Sequence, residues 1–205
     1  MPLVQHHHPL IDILITRLRS RDDRPEEFRR CAHDVTALLI AQYASTLRTR
    51  SCRIETPLEA TDGDMLETGV VLVPVLRAGI GMLGAALEAL PGAAVGFIGL
   101  ERDEQTARCR EYYRKLPQIA SMDVVVLDPM LATGGSACAA LAAVEAQGCK
   151  SRSLVSIVAA PEGIDRVTSE HPDVSIIAGA VDRGLDHRKY IVPGLGDFGD
   201  RLYGT

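Results

Sequence analysis

One segment constrains this chain more than any other: Val124-Val-Val-Leu-Asp-Pro-Met-Leu-Ala-Thr-Gly-Gly-Ser136. Its four apolar residues read as a short buried strand, and Asp128 places an acid at the carboxyl end. A tight loop from Ala132 to Ser136 follows, and an alanine-rich helix runs on to about Gln147. Open α/β sheets bind ligands beyond the carboxyl ends of their strands. Glycines let backbone N–H groups crowd around an anion, and a helix N-terminus adds partial positive charge. The hydroxyls of Thr133 and Ser136 are further donors. The segment therefore reads as a phosphate cup with a carboxylate beside it. That pairing suits a phosphosugar, whose hydroxyls need an acceptor. An ordinary strand–turn–helix capped by Thr and Gly is the plain alternative. Gly-Gly-Ser alone leaves it open, and the adjacent Asp128 weighs against it. No P-loop lysine follows the glycines, and no Gly-x-Gly-x-x-Gly is read after a strand, so a dinucleotide fold is not expected.

Strand and helix signals alternate along the chain. Residues 70–75, 94–100, 123–127, 153–159 and 174–180 read as strands, and 79–90, 135–147 and 161–170 as helices. Near-continuous apolar strands between helices predict an α/β fold, a mostly parallel twisted sheet flanked by helices. Two helices, 10–20 and 26–49, precede it. Leu10, Ile13, Leu14 and Leu18 mark one apolar face, and Phe28, Ala32, Val35, Leu38 and Leu39 another. The polar stretch 50–68 suggests a hairpin or arm, and 101–117, charged and without core periodicity, a lid. A chain of 205 residues is expected to form one domain, 1–205.

Further segments are as distinctive as the cup. They are Val73-Pro-Val-Leu-Arg-Ala-Gly-Ile-Gly-Met82, Arg102-Asp-Glu-Gln-Thr106, Tyr112-Tyr-Arg-Lys-Leu-Pro117 and Tyr190-Ile-Val-Pro-Gly-Leu-Gly-Asp-Phe-Gly-Asp-Arg-Leu-Tyr-Gly-Thr205. Together with Asp128 to Ser136 they resemble, in family order, the uracil phosphoribosyltransferases of the type I phosphoribosyltransferase family. Pro129 stands where that wider family has a second acid. The resemblance runs from His8-Pro9-Leu10 to the last residue, so His6-His7-His8 is read as native sequence without a metal role.

The resemblance implies transfer of the phosphoribosyl group of 5-phosphoribosyl 1-pyrophosphate (PRPP) to uracil, giving UMP and pyrophosphate. It assigns PRPP to Arg77, Arg102, Asp128, Pro129, Met130, Leu131, Ala132, Thr133, Gly134, Gly135, Ser136 and Asp197. It assigns uracil to Ile191, Gly196, Asp197 and Phe198, mainly through backbone groups. Asp128, Asp197 and Arg77 are the catalytic candidates. Asp128 holds the ribose hydroxyls and stabilises positive charge on the ring, and Asp197 assists loss of the N1 proton. Arg77 offers a guanidinium fork to pyrophosphate, and burial among apolar neighbours without an anion would be costly. Asp197 also suits an Asx turn. Phe198 is expected to close over the C5 edge of the base. Mg2+ is implied, held mainly by PRPP and water rather than by dedicated protein ligands. A homodimer or higher homo-oligomer and a GTP effector are implied as well. Asp12-Ile13, Gln42, Arg183 and Asp186 depart from the usual family residues and bear on subunit contacts and GTP activation, not on the substrate motifs.

Composition narrows the partners. A net charge of −5 offers no chain-wide attraction for nucleic acid. No apolar run approaches membrane-spanning length, and a secretory start is lacking. Five cysteines without a Cys-x-x-Cys pair suggest reduced thiols in the cytoplasm. Cys138 and Cys149 read as small buried hydrophobes. Arg17, Arg19, Arg21, Arg24, Arg29 and Arg30 are interleaved with acids, as on a solvated helix face. Two other functions would fit a PRPP loop: a PRPP-sensing regulator that binds RNA, and transfer to a different base. The acidic balance and the uracil-type C-terminal loop weigh against both.

Overall fold

A computed structural model describes residues 4–5, 8–102 and 109–205. Nine of the described strands form one sheet, β1(Val4–Gln5), β4(Val70–Leu76), β5(Ala94–Val95), β6(Phe97–Arg102), β7(Cys109–Lys115), β8(Asp123–Leu127), β9(Met130–Leu131), β10(Ser151–Ala159) and β11(Ser175–Val181). Its main order is β1-β11-β10-β8-β4-β6-β7, with β5 on β4 and β9 on β10. All pairings are parallel except β6–β7. Two small antiparallel sheets stand apart, β2(Thr49–Glu55) with β3(Ala60–Leu66), and β12(Gly184–Leu185) with β13(Ile191–Val192).

Strand β4 is apolar throughout and β8 is apolar after Asp123, because both faces of the sheet are covered there. On β8, Val125 and Leu127 join one core with Leu72, Val155 and Ile157. Helices α1(Pro9–Arg19), α2(Pro25–Ala44), α3(Ile80–Ala89) and the short α6(Phe198–Tyr203) contribute to that core. Val124 and Val126 face the other core, with Val71, Val73 and Leu154, beneath α4(Gly135–Glu145) and α5(Pro161–Glu170). Alternate residues of one strand therefore serve opposite cores.

The first helix turns differently from expectation. Ile11, Ile15 and Leu18 are buried, whereas Leu10 and Ile13 are 54% and 57% exposed. Ile15 and Ile11 approach Gly179 of β11, so sheet contact selects that stripe over its neighbour. Helix α2 stops at Ala44 rather than residue 49. The hydroxyls of Ser45 and Thr46 turn back to Gln42 O and Tyr43 O, both at 2.7 Å, and compete with further helix. The expected arm is the β2–β3 hairpin, while the expected lid is largely strand, because β6 and β7 pair as a hairpin around residues 103–108, outside the described set. His6 and His7 also lie outside it. His8 caps α1, its Nδ1 accepting from Leu10 N at 3.2 Å.

Candidate active site

The cup forms where β8 ends. Asp128 follows the strand directly, and Gly134, the N-cap of α4, takes φ 75°, ψ −2°. This left-handed geometry favours glycine, and a Cβ there would lie 3.0 Å from Gly163 O. Across the crevice, β4 leads into the Arg77 loop. A Cβ on Gly79 would meet Leu127 O at 2.4 Å, so only glycine brings this loop so close to β8. The Leu76–Arg77 peptide is cis.

A cavity of about 260 Å³ lies between these loops, lined by Arg77, Asp128, Met130, the stretch Leu131 to Ala137, and Lys189. The structure thus brings Arg77 and Asp128 together with Ala132, Thr133, Gly134, Gly135 and Ser136. Pro129 is buried behind the strand end, its carbonyl accepting from Ile157 N and Val158 N, each at 3.1 Å. Burial pushes the Asp128 carboxyl from 3.8 up to about 6, opposed by the Met130 N–H at 3.4 Å. Arg77 is exposed, so its position at the cavity wall, not a cost of burial, marks it as a candidate. Arg102 ends β6, and its side chain lies outside the described residues.

A second cavity, about 340 Å³, is lined by Ile191, Gly196, Asp197 and Phe198, with Met130, Ala132, Arg188, Lys189 and Tyr190. All four base-loop candidates therefore meet at one surface. Met130, Ala132 and Lys189 belong to both cavities. Asp197 is the N-cap of α6 and accepts from Asp200 N at 2.9 Å, which bears out its turn-stabilising reading. The Phe198 ring corrects another expectation. It is 1% exposed and sits edge-on to Phe28, with centroids 5.2 Å apart, so it belongs to the core rather than closing over a base.

Remote side chains hold this second loop. Arg19 Nη1 and Nη2 meet Asp182 Oδ2 and Oδ1 at 2.9 and 2.6 Å, and Nη1 also donates to Gly194 O at 2.8 Å. Asp182 in turn accepts from Gly194 N at 2.8 Å. Arg201 donates to Leu195 O at 2.8 Å and to Leu18 O and Ser20 O, with its guanidinium 4.3 Å from the Phe28 ring centre. Arg29 donates to Leu202 O at 2.8 Å. Arg29 thus adds one hydrogen bond from an exposed position on the helix face, whereas Arg19 is a half-buried structural tie. No local pattern signals this, since Arg19 and Asp182 stand 163 positions apart.

The glycines after β4 correct a third expectation. Gly79-Ile-Gly-Met-Leu-Gly84 has the Gly-x-Gly-x-x-Gly spacing and follows a strand. Its first two glycines serve close packing. Gly79 lies under Leu127 O, and a Cβ on Gly81 would meet Leu202 Cδ2 at 2.6 Å.

Asp128 is the sole carboxylate lining the first cavity among the described residues. With one oxygen facing Met130 N–H, it leaves at most a small share of a hard cation's shell to the protein. Elsewhere, donor atoms of Cys138, Glu170 and His171 lie within 4.8 Å of one another. There His171 Nε2 is 3.2 Å from Cys138 O, and Arg152 Nη1 is 3.4 Å from Nδ1. Arg166 holds Glu170 at 2.8 Å, and burial is the main cause pushing the Cys138 thiol up to about 12. Both ring nitrogens of His171 and the Glu170 carboxylate are thus already engaged by Cys138 O, Arg152 and Arg166 within a structural network.

The uracil phosphoribosyltransferase family model matches residues 4–205. This chain belongs to the uracil phosphoribosyltransferase family. A uracil phosphoribosyltransferase of Dictyoglomus thermophilum is 44% identical over 97% of each chain. A solved protein of Aquifex aeolicus superposes with a TM-score of 0.95 at 36% identity, covering 99% of this chain and 98% of that one. A hypoxanthine phosphoribosyltransferase of Staphylococcus aureus, 12% identical, covers 82% of this chain and 85% of its own, with a TM-score of 0.52. That likeness concerns the type I fold alone. Among the described residues no helix is long and apolar enough to cross a membrane.

Proposed function

We propose that the two joined cavities carry out uracil phosphoribosyl transfer, with the cup holding PRPP and the loop 191–198 holding uracil. The observation that carries this division is the shared wall of Met130, Ala132 and Lys189. It places an anion cradle and a flat-ligand loop side by side, as joining a base to a phosphosugar requires. In the reaction uracil N1 bonds to ribose C1 while the C1–O bond breaks, and its electron pair leaves with pyrophosphate. The N1 proton departs as the bond forms.

The backbone N–H groups and hydroxyls of Ala132 to Ser136 bind the 5′-phosphate. Asp128 takes the ribose hydroxyls and, ionised, stabilises the positive charge that builds on the ring. Arg77 meets the pyrophosphate oxygens, and Arg102 adds a second cation from the β6–β7 hairpin. Backbone groups at Ile191, Gly196 and Phe198 read the acceptor–donor–acceptor edge of uracil. Cytosine would leave those groups mispaired. Asp197 faces the N1 side and assists proton loss while it caps α6. Mg2+, when bound, would supply positive charge against the pyrophosphate oxygens. The free Asp128 oxygen is its candidate protein ligand.

Residues 1–205 act as one domain in the cytoplasm, where unpaired thiols at Cys31, Cys52, Cys138 and Cys149 suit a reducing medium. Ile54, Leu58, Met65 and Leu66 are exposed on or near the β2–β3 arm, which favours a homo-oligomer, with GTP as its candidate effector. Incubation with PRPP, Mg2+ and each base in turn, with product identification, tests the reading. UMP from uracil alone is expected. Binding without turnover, or a different nucleotide, would contradict it.

A further inference from the structure

Lys189 stands at the join between the cavities and lines both. Its φ is 69°, in the left-handed region that side-chain-bearing residues avoid. The surrounding turn enforces this. Asp186 Oδ1 accepts from Arg188 N and Tyr190 N, both at 2.9 Å. Lys189 N donates to Asp186 O at 3.0 Å, and Asp186 N to Tyr190 O at 2.8 Å. Among the described residues no carboxylate lies within ion-pair distance of the Lys189 ammonium. The backbone that carries this exposed cation is thus fixed by a clamped, unfavourable turn beside the anion cradle. Such outliers persist where the surroundings over-determine them, and they cluster at ligand sites.

We propose that Lys189 is a further substrate-binding residue whose ammonium contacts the 5′-phosphate of the phosphoribosyl group, joining the cup donors. The inference rests on the phosphoribosyl reading above. Charge decides between the two ligands, because uracil is neutral whereas a phosphate gains from a compact cation with three donors.

Equilibrium binding of ribose 5-phosphate and of uracil to the full chain tests this in Lys189→Gly, Lys189→Asn and Lys189→Arg. Gly and Asn tolerate the left-handed turn, so they remove the amine without forcing the backbone. Both should weaken ribose 5-phosphate by about tenfold or more, while Arg retains most of the affinity. Uracil affinity should stay within about twofold. Unchanged ribose 5-phosphate binding in the Gly and Asn variants would overturn the proposal. So would a matching loss for uracil, which would assign the side chain to the base. UMP formation by the parent chain is scored separately. If UMP forms while the Gly and Asn variants bind ribose 5-phosphate normally, Lys189 alone is misassigned. If the lysine effect appears but no UMP forms, the transferase reading alone fails. If the parent binds no ribose 5-phosphate, both fail.

Discussion

The cup and the base loop share a wall, yet they are built in opposite ways. The cup is local. Asp128 to Ser136 is one continuous stretch, its geometry set by a strand end, a left-handed Gly134 and the start of α4. The base loop is assembled from a distance. Arg19 from α1 and Asp182 from the end of β11 grip Gly194, while Arg201 ties Leu195 to the end of α1. Its Phe198 is an element of the core. Backbone geometry suffices for an anion, which accepts donors from many directions. A flat base needs a fixed edge, and a glycine-rich loop supplies one only when held from outside.

The contrast predicts where mutations do their damage. The largest effect should come from Phe198→Ala, which opens a core cavity and should cost about 3–5 kcal/mol of stability. A urea midpoint near that of the parent would detach this loop from the core.

Asp128→Asn should act on chemistry instead, removing about 2–4 kcal/mol of transition-state stabilisation in a folded protein. The carboxyl is raised from 3.8 to about 6, so the folded state binds its proton more tightly than the unfolded chain. Its contribution to stability is fully present below about pH 4 and is lost as pH rises through about 6. The Asn variant should therefore melt higher than the parent at pH 7, with the gap closing near pH 4. Parent kcat/KM should fall as pH drops below about 6, because the ionised form does the work. A melting difference independent of pH would remove the buried-carboxylate account.

Arg19→Ala leaves Asp182 buried without its partner. Breaking a buried pair costs about 3–5 kcal/mol, but Arg19 retains 26% side-chain exposure, so about 2–3 kcal/mol is expected by denaturant titration. Thr133→Ala removes a single cup hydroxyl. It should weaken PRPP binding by only about 1 kcal/mol, because neighbouring N–H groups persist. A loss as large as that from Asp128→Asn would mean that side chains, not backbone, build the cup.

The same contrast explains what the sequence makes legible. The cup, the parallel sheet and helix α5 follow from neighbours in the chain, so periodicity and glycine placement reveal them. Arg19 and Asp182 look like ordinary solvated residues until the fold brings them together. Helix α1 carries two overlapping apolar stripes, and only docking on β11 chooses Ile11 and Ile15 over Leu10 and Ile13. Residues 110–114 of β7 are exposed on both faces, and the β6–β7 register shifts between Gly99 and Leu100. Strand periodicity is therefore missing from a segment that is nonetheless strand. Phe198 sits among glycines, where a ring reads as a lid over ligand. Its packing on Phe28, far away in sequence, decides otherwise.

The most direct test of the two-part construction is steady-state kinetics of Asp182→Asn with both substrates varied. This substitution keeps the shape of the tie while weakening its grip on Arg19 and Gly194. The KM for uracil should rise by about tenfold while that for PRPP stays within about twofold. Equal rises in both, or no rise for uracil, would contradict a base loop held independently of the cup.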